Sequence, residues 1–139
     1  MTVPTGGKPS GSSAPRTRVL VVEDEFVVSL TLKAQLEAVG CEVVGTGRDA
    51  DSAVEMTCSL CPDVVLMDIG LAGSDGIEAT RQIMSIAPTP IILITAYTDA
   101  RVNRGIKAGA RLVLTKPVLA EQLKHAIAEV TAPSRRNPG

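Results

Sequence analysis

Aromatic residues are nearly absent: the 139-residue chain has one Phe, one Tyr and no Trp. A core of any size must then be aliphatic, built from Val, Ile, Leu and Ala. Charge of one sign is also missing, since the formal net charge is −1. That balance gives no electrostatic reason to expect direct contact with nucleic acid. No apolar run approaches the roughly 18 residues that span a bilayer, and the N-terminus is polar rather than signal-like, so no membrane role is expected. The single His and three Cys are too few and too scattered for a zinc site. An odd number of cysteines in a chain of this size argues for a reducing, cytoplasmic setting.

Aliphatic residues are plentiful, and their spacing organises the chain. Residues 1–16 are mostly Gly, Ser, Pro and Thr, with too little apolar surface to repay ordering, and read as a disordered tail; residues 132–139 read the same way. One domain is expected over residues 17–131. Short runs rich in Val, Ile and Leu occur at Arg18–Val22, Glu42–Gly45, Val64–Met67, Ile91–Ile94 and Leu112–Leu114. Such runs suit strands buried on both faces of a parallel sheet. Helical spacing lies between them. Leu32, Leu36 and Val39 precede a stop at Gly40; a second helix falls near Ala50–Leu60. Ile77, Ile83 and Met84 mark a helix ending before Pro88, Val102 and Ile106 a short one ended by Gly109, and Leu119, Leu123, Ile127 and Val130 the last. Five strand-then-helix units predict an α/β, flavodoxin-like, doubly wound sheet of strand order 2-1-3-4-5 with five helices.

Ligands in such sheets bind beyond the carboxyl ends of the strands. There the sequence places Glu23, Asp24 and Glu25 after the first run, Asp68 after the third, Thr95 at the fourth, and Lys116 with Pro117 after the fifth. Gathered carboxylates repel: two unit charges about 4 Å apart cost about 4 kcal/mol at an effective dielectric near 20. A divalent cation converts that repulsion into binding. Oxygen ligands without His or Cys favour Mg²⁺ or Mn²⁺ over zinc. An ion so held receives phosphate oxygens well, with Lys116 and the Thr95 hydroxyl available to others. A carboxylate can then act as the nucleophile for phosphoryl transfer. Taken singly, each residue has a plainer explanation, such as a turn-forming Asp or a β-favouring Thr. The joint placement at matching strand ends is what carries the reading.

VLVVEDE (Val19–Glu25), VVLMDIGLAGSDGIEA (Val64–Ala79), ILITAY (Ile92–Tyr97), Gly109-Ala110 and LTKP (Leu114–Pro117) resemble, in order and spacing, the receiver domains of bacterial response regulators, including the chemotaxis receiver. The resemblance implies Asp68 as phosphoacceptor. It implies a metal shell of Asp24, Asp68 and the Gly70 backbone carbonyl, with Glu23 acting through water. Lys116 and Thr95 would contact the phosphoryl group, small Gly70 and Ala96 would flank it, the Lys116–Pro117 bond would be cis, and Asp75-Gly76 would open the third helix. A sensor histidine kinase or histidine phosphotransfer protein is the implied donor, with an unidentified protein downstream, and the domain would act as a monomer or weak homodimer. Only about nine residues follow Val130. The signal is therefore expected to pass by contact or onward phosphotransfer, with no catalysis beyond the domain's own phosphorylation and dephosphorylation.

Two positions depart from the family pattern. Val113 stands where an aromatic residue is frequent, so Tyr97 in the loop after Thr95 is the expected mobile ring. Ala72 replaces a common Pro. Other readings are weaker. Gly45-Thr-Gly47-Arg-Asp-Ala50 fits a dinucleotide fingerprint, but Asp49 and Asp51 would oppose a pyrophosphate. Cys58-Ser-Leu-Cys61 falls at a helix C-terminal end, where the dipole disfavours a thiolate, and reads as structural. A phosphatase of haloacid dehalogenase type would need a second Asp where Gly70 stands. A degenerate receiver serving only as an interaction module is the remaining alternative.

Overall fold

A computed structural model describes residues 16–71, 73–96 and 100–132. The expected tails, Ala72 and Tyr97 lie outside the described residues, apart from Arg16 and Ala132 at the tail borders. The elements alternate as β1 (Arg18–Val22), α1 (Phe26–Ala38), β2 (Glu42–Gly47), α2 (Ala50–Leu60), β3 (Val64–Asp68), α3 (Gly76–Ile86), β4 (Ile91–Thr95), α4 (Ala100–Ala108), β5 (Leu112–Thr115) and α5 (Ala120–Thr131). The strands form one parallel sheet of order β2-β1-β3-β4-β5.

Alternation along each strand divides the core into two layers. Val19, Val21, Val64, Leu66, Ile92 and Ile94 face one way and pack with Leu32 and Leu36 of α1 and Leu123 and Ile127 of α5. Leu20, Val22, Val65, Met67, Ile91 and Leu93 face the other way, toward Ala53 of α2 and Ile77 and Ile83 of α3. Each fully buried side chain of this size contributes roughly 1.5–3 kcal/mol, so both faces of the three inner strands hold the sheet in register.

Helix ends follow local chemistry. Val39 closes α1, and Gly40 follows with a φ of +92°, a left-handed conformation that glycine adopts without strain. Asp49 accepts a hydrogen bond from the Ser52 N–H at 2.8 Å, while Ser52 Oγ accepts from the Asp49 N–H, a reciprocal cap for α2. That cap occupies the anion-favouring end of α2. A Cβ on Gly45 would stand 2.7 Å from Met56 Cε, the movable end of a flexible side chain on α2. The fingerprint-like glycines thus face side chains of α2. Cys58 and Cys61 are exposed free thiols at the C-terminal end of α2, and Cys41 is buried.

Two helical stripes differ from expectation. Leu119 caps α5 rather than lying within it and is 61% exposed, because the Lys116–Val118 connection delays the helix start. On α4, Ile106 is exposed and Gly105 is the buried residue. The helix is therefore turned so that its inward face is set by close backbone approach rather than by an apolar side chain.

Candidate functional site

Strand register builds the site. Val22 pairs with Met67, Asp68 with Ile94 and Thr95 with Thr115, so the residues leaving β1, β3, β4 and β5 emerge along one edge. Main-chain bonds hold them there: the Lys116 N–H donates to the Thr95 carbonyl at 2.8 Å, and the Ile69 N–H to the Ile94 carbonyl at 2.9 Å. The Lys116–Pro117 peptide bond is cis. Asp75 caps α3 by accepting from the Ile77 N–H at 2.8 Å. Gly76, first in that helix, lies so near β3 that a Cβ would stand 2.3 Å from the Asp68 carbonyl oxygen. Only glycine fits between α3 and the main chain of Asp68.

The carboxylates converge. One oxygen each of Glu23, Asp24 and Asp68 lie within 4.8 Å of one another. Glu23 is 2% exposed and Asp68 6%, whereas Asp24 is half-buried. Asp68 Oδ2 accepts from Lys116 Nζ at 2.7 Å, and Asp68 Oδ1 from the Gly70 N–H at 2.9 Å. Lys116 Nζ also lies 3.6 Å from Glu23 Oε1, an oxygen that is buried without a hydrogen-bond partner. Glu23 Oε2 accepts from the Glu25 N–H at 3.1 Å.

These distances set the protonation balance. Burial pushes the Glu23 carboxyl up to about 7, and the nearby Asp68 charge adds to the rise; the Glu25 N–H and Lys116 only partly oppose it. Burial lowers the Lys116 pKa, but its hydrogen bond to Asp68 and the charges of Asp68 and Glu23 outweigh that and raise it overall. The pocket thus holds more acid than its lysine can balance. An orphaned Glu23 oxygen and an all-oxygen donor set fit a hard divalent cation such as Mg²⁺.

A polar cavity of about 360 Å³ opens above this cluster, lined by Asp24, Glu25, Asp68, Gly70, Thr95, Ala96, Arg101 and Lys116. Glu23, Asp24, Asp68, Thr95, Ala96, Gly70 and Lys116 are therefore gathered as the sequence predicts. Pro117 and Val113 sit behind them: Pro117 lines an apolar groove of about 400 Å³ that shares Lys116, and half-buried Val113 packs beneath α4. Arg101 was not foreseen.

Residues 19–128 match the family of the response regulator receiver domain. The chain is 43% identical over 105 residues to a protein-glutamate methylesterase/protein-glutamine glutaminase of Geobacter metallireducens, covering 72% of this chain and 30% of that protein. It is 36% identical over 124 residues to the transcriptional regulatory protein PdtaR of Mycobacterium tuberculosis, covering 88% and 60% respectively. The chain thus spans less than two thirds of these relatives. Among solved structures, the response regulator domain of Thermotoga maritima CheB superposes with a TM-score of 0.80 at 32% identity, over 86% of this chain and 99% of that one. The receiver domain of NarL from Mycobacterium tuberculosis gives 0.82 at 26% identity, over 87% and 100%. With this fold and this acidic pocket, the chain belongs to the response regulator receiver domains of two-component signalling.

Proposed function

We propose that this receiver accepts a phosphoryl group on Asp68 in a Mg²⁺-dependent reaction and signals through the state of that residue. The observation that carries the reading is Asp68 itself: a nearly buried carboxylate lining a polar cavity, with oxygens of Glu23 and Asp24 within 4.8 Å and Lys116 Nζ at 2.7 Å. Asp24, Asp68 and the Gly70 carbonyl would hold the ion, with Glu23 acting through water. When bound, the ion would neutralise the gathered charge and polarise a phosphoryl oxygen.

The protein's own groups account for the rest. An Asp68 carboxylate oxygen attacks phosphorus, a new P–O bond forms, and the bond to the donor's leaving group breaks with its electron pair. Lys116 moves its positive charge from the carboxylate to the incoming oxygens. The buried Thr95 hydroxyl donates to another oxygen, and small Gly70 and Ala96 leave room for donor and water. Little more than positioning and charge stabilisation is needed.

The donor would be a phosphohistidine on a sensor kinase or phosphotransfer protein. The apolar groove beside the pocket, together with Phe26 and Val27 at 72% exposure each and Leu119, offers such a protein a surface next to the acceptor. The domain would act in the cytoplasm as a monomer or weak homodimer and pass its signal by contact or onward phosphotransfer, catalysing only its own phosphorylation and dephosphorylation. Incubation with acetyl phosphate and Mg²⁺, followed by intact mass measurement, tests the assignment. One phosphoryl adduct in the wild type, lost in Asp68→Asn, is expected; equal labelling of the mutant would refute it.

A further inference from the structure

We propose that Cys58 and Cys61 form a redox-active dithiol, which closes reversibly to a disulfide across the last turn of α2 by exchange with a low-molecular-weight disulfide. The site is separate from the acidic pocket and does not depend on the chemistry at Asp68.

Helix geometry sets the reach of the pair. The Cys61 N–H still donates to the Thr57 carbonyl at 3.0 Å, so the Cys61 Cα keeps its helical position, about 5 Å from the Cys58 Cα. That lies inside the roughly 4.4–6.8 Å that a disulfide spans. On a regular helix, however, Cβ atoms three residues apart stand about 5–6 Å from each other, which is too far. Cys61 departs from the regular helix: its φ is +49°, in the left-handed region. Turning φ from the helical value of about −63° to +49° swings the Cys61 Cβ back toward the preceding turn and brings the two Cβ atoms to about 4 Å. A disulfide needs about 3.5–4.5 Å. The Cys61 thiol lies accordingly, folded back onto the Cys58 carbonyl at 3.7 Å. The cap that strains an L side chain is thus the feature that lets this pair close.

Exposure makes the pair available. Both thiols are exposed and neither fills the core, whereas Cys41, the third, is buried. Glycine would relieve this helix end, yet the chain carries a thiol there, and strain held at one residue points to a use for its side chain. Closure takes two exchange steps. One cysteine thiolate attacks the S–S bond of the small disulfide, forming a mixed disulfide and releasing one small thiolate. The other, held one turn away, attacks the sulfur of its own chain, forms the Cys58–Cys61 bond and expels the second small thiolate. Two electrons pass to the reagent, which leaves as two thiols carrying the two protons. Proximity favours this second step over a lasting adduct. In a reducing thiol pool the pair stays open, and it closes as the pool turns oxidising. Closure would also fix the segment that clasps the start of β1, where Arg18 donates to the Cys61 carbonyl and to the Asp63 carboxylate at 2.8 Å each.

The test is incubation of the full chain, at several protein concentrations, with glutathione disulfide containing little free glutathione. Acid quenching, intact mass measurement and peptide mapping then compare the wild type with Cys58→Ser and Cys61→Ser. The wild type should lose two hydrogens, with the bond mapped between Cys58 and Cys61. Its closed form should exceed the glutathione adduct at least about tenfold at every protein concentration. Each Ser variant should instead accumulate a single glutathione adduct, and dithiothreitol should reverse the change in all three proteins. A wild type that accumulates glutathione adducts to the same extent as the variants would overturn the proposal. So would a bond that includes Cys41 or that joins two chains.

Discussion

Lys116 holds Asp68 at 2.7 Å, closer than it approaches Glu23 at 3.6 Å, and so this carboxylate already has a cationic partner. The other Asp68 oxygen is taken by the Gly70 N–H. This resting pair competes with a divalent ion for the same carboxylate. Lys116→Ala should therefore bind Mg²⁺ severalfold more tightly by calorimetry. In Mg²⁺-free buffer at pH 8 it should lose about 1–2 kcal/mol of unfolding free energy, since two neighbouring acids are left without their cation; the figure is held below that of a fully buried pair because Lys116 is 28% exposed. Saturating Mg²⁺ should restore most of the loss. A variant equally destabilised with and without Mg²⁺ would show that the lysine matters through packing instead.

Glu23 makes the site pH-sensitive. Its carboxyl sits near 7 in the folded chain, against 4.5 in its unperturbed form. Between those values the native state holds a proton that the unfolded state has released, so protons favour folding there, and this contribution is lost as pH rises through about 7. Metal binding runs the other way because the ion must displace that proton. Mg²⁺ affinity should fall by up to tenfold per pH unit below 7 and level off above it. In thermal melts, the Mg²⁺-induced rise in Tm should be larger at pH 8 than at pH 6. Glu23→Gln should flatten this dependence, and an unchanged slope in that variant would place the titration elsewhere.

Gly76 ties helix placement to chemistry. A methyl group there meets the Asp68 carbonyl oxygen at 2.3 Å, and backbone cannot step aside as a flexible side chain can. Gly76→Ala should cost about 1–3 kcal/mol by urea denaturation, despite the better helix propensity of Ala. Its folded fraction should bind Mg²⁺ more weakly, because the strain falls on Asp68, which we propose as a ligand. Stability gained instead of lost would mean that α3 shifts freely against β3.

Much of this molecule is legible in its sequence, for a physical reason. Strands buried on both faces leave uninterrupted aliphatic runs, and the residue following each run must lie at one edge of a parallel sheet. Asp24, Asp68, Thr95 and Lys116 could therefore be grouped before any coordinates. Arg101 could not, because its reach depends on how closely α4 approaches β4. Gly105 is the buried residue of α4 and leaves no apolar signature. Ile106 looked like the inward residue and is exposed. Leu119 was misplaced for a related reason: it sits four residues before Leu123 and mimics a helical stripe, yet the chain is still turning out of the Lys116–Pro117 segment there. Spacing reads a helix well once it has started and poorly decides where it starts.

Cys61 is the one non-glycine among the described residues with a positive φ, at 49°, where it closes α2 and donates its N–H to the Thr57 carbonyl at 3.0 Å. That left-handed cap strains an L side chain by roughly 1–2 kcal/mol, and glycine returns about half of the gain through greater freedom in the unfolded chain. Arg18 donates to the Cys61 carbonyl at 2.8 Å, and a glycine keeps that acceptor. The exposed thiol donates a weak hydrogen bond, 3.7 Å to the Cys58 carbonyl, so little is forfeited by removing it. Cys61→Gly should therefore raise the urea midpoint by the equivalent of about 0.5–1 kcal/mol and leave Mg²⁺ affinity unchanged. Cys61→Ala, which keeps the strain and loses the thiol, should stay within about 0.5 kcal/mol of the wild type. A glycine variant less stable than the alanine one would show that the thiol, and not the backbone, governs this helix end.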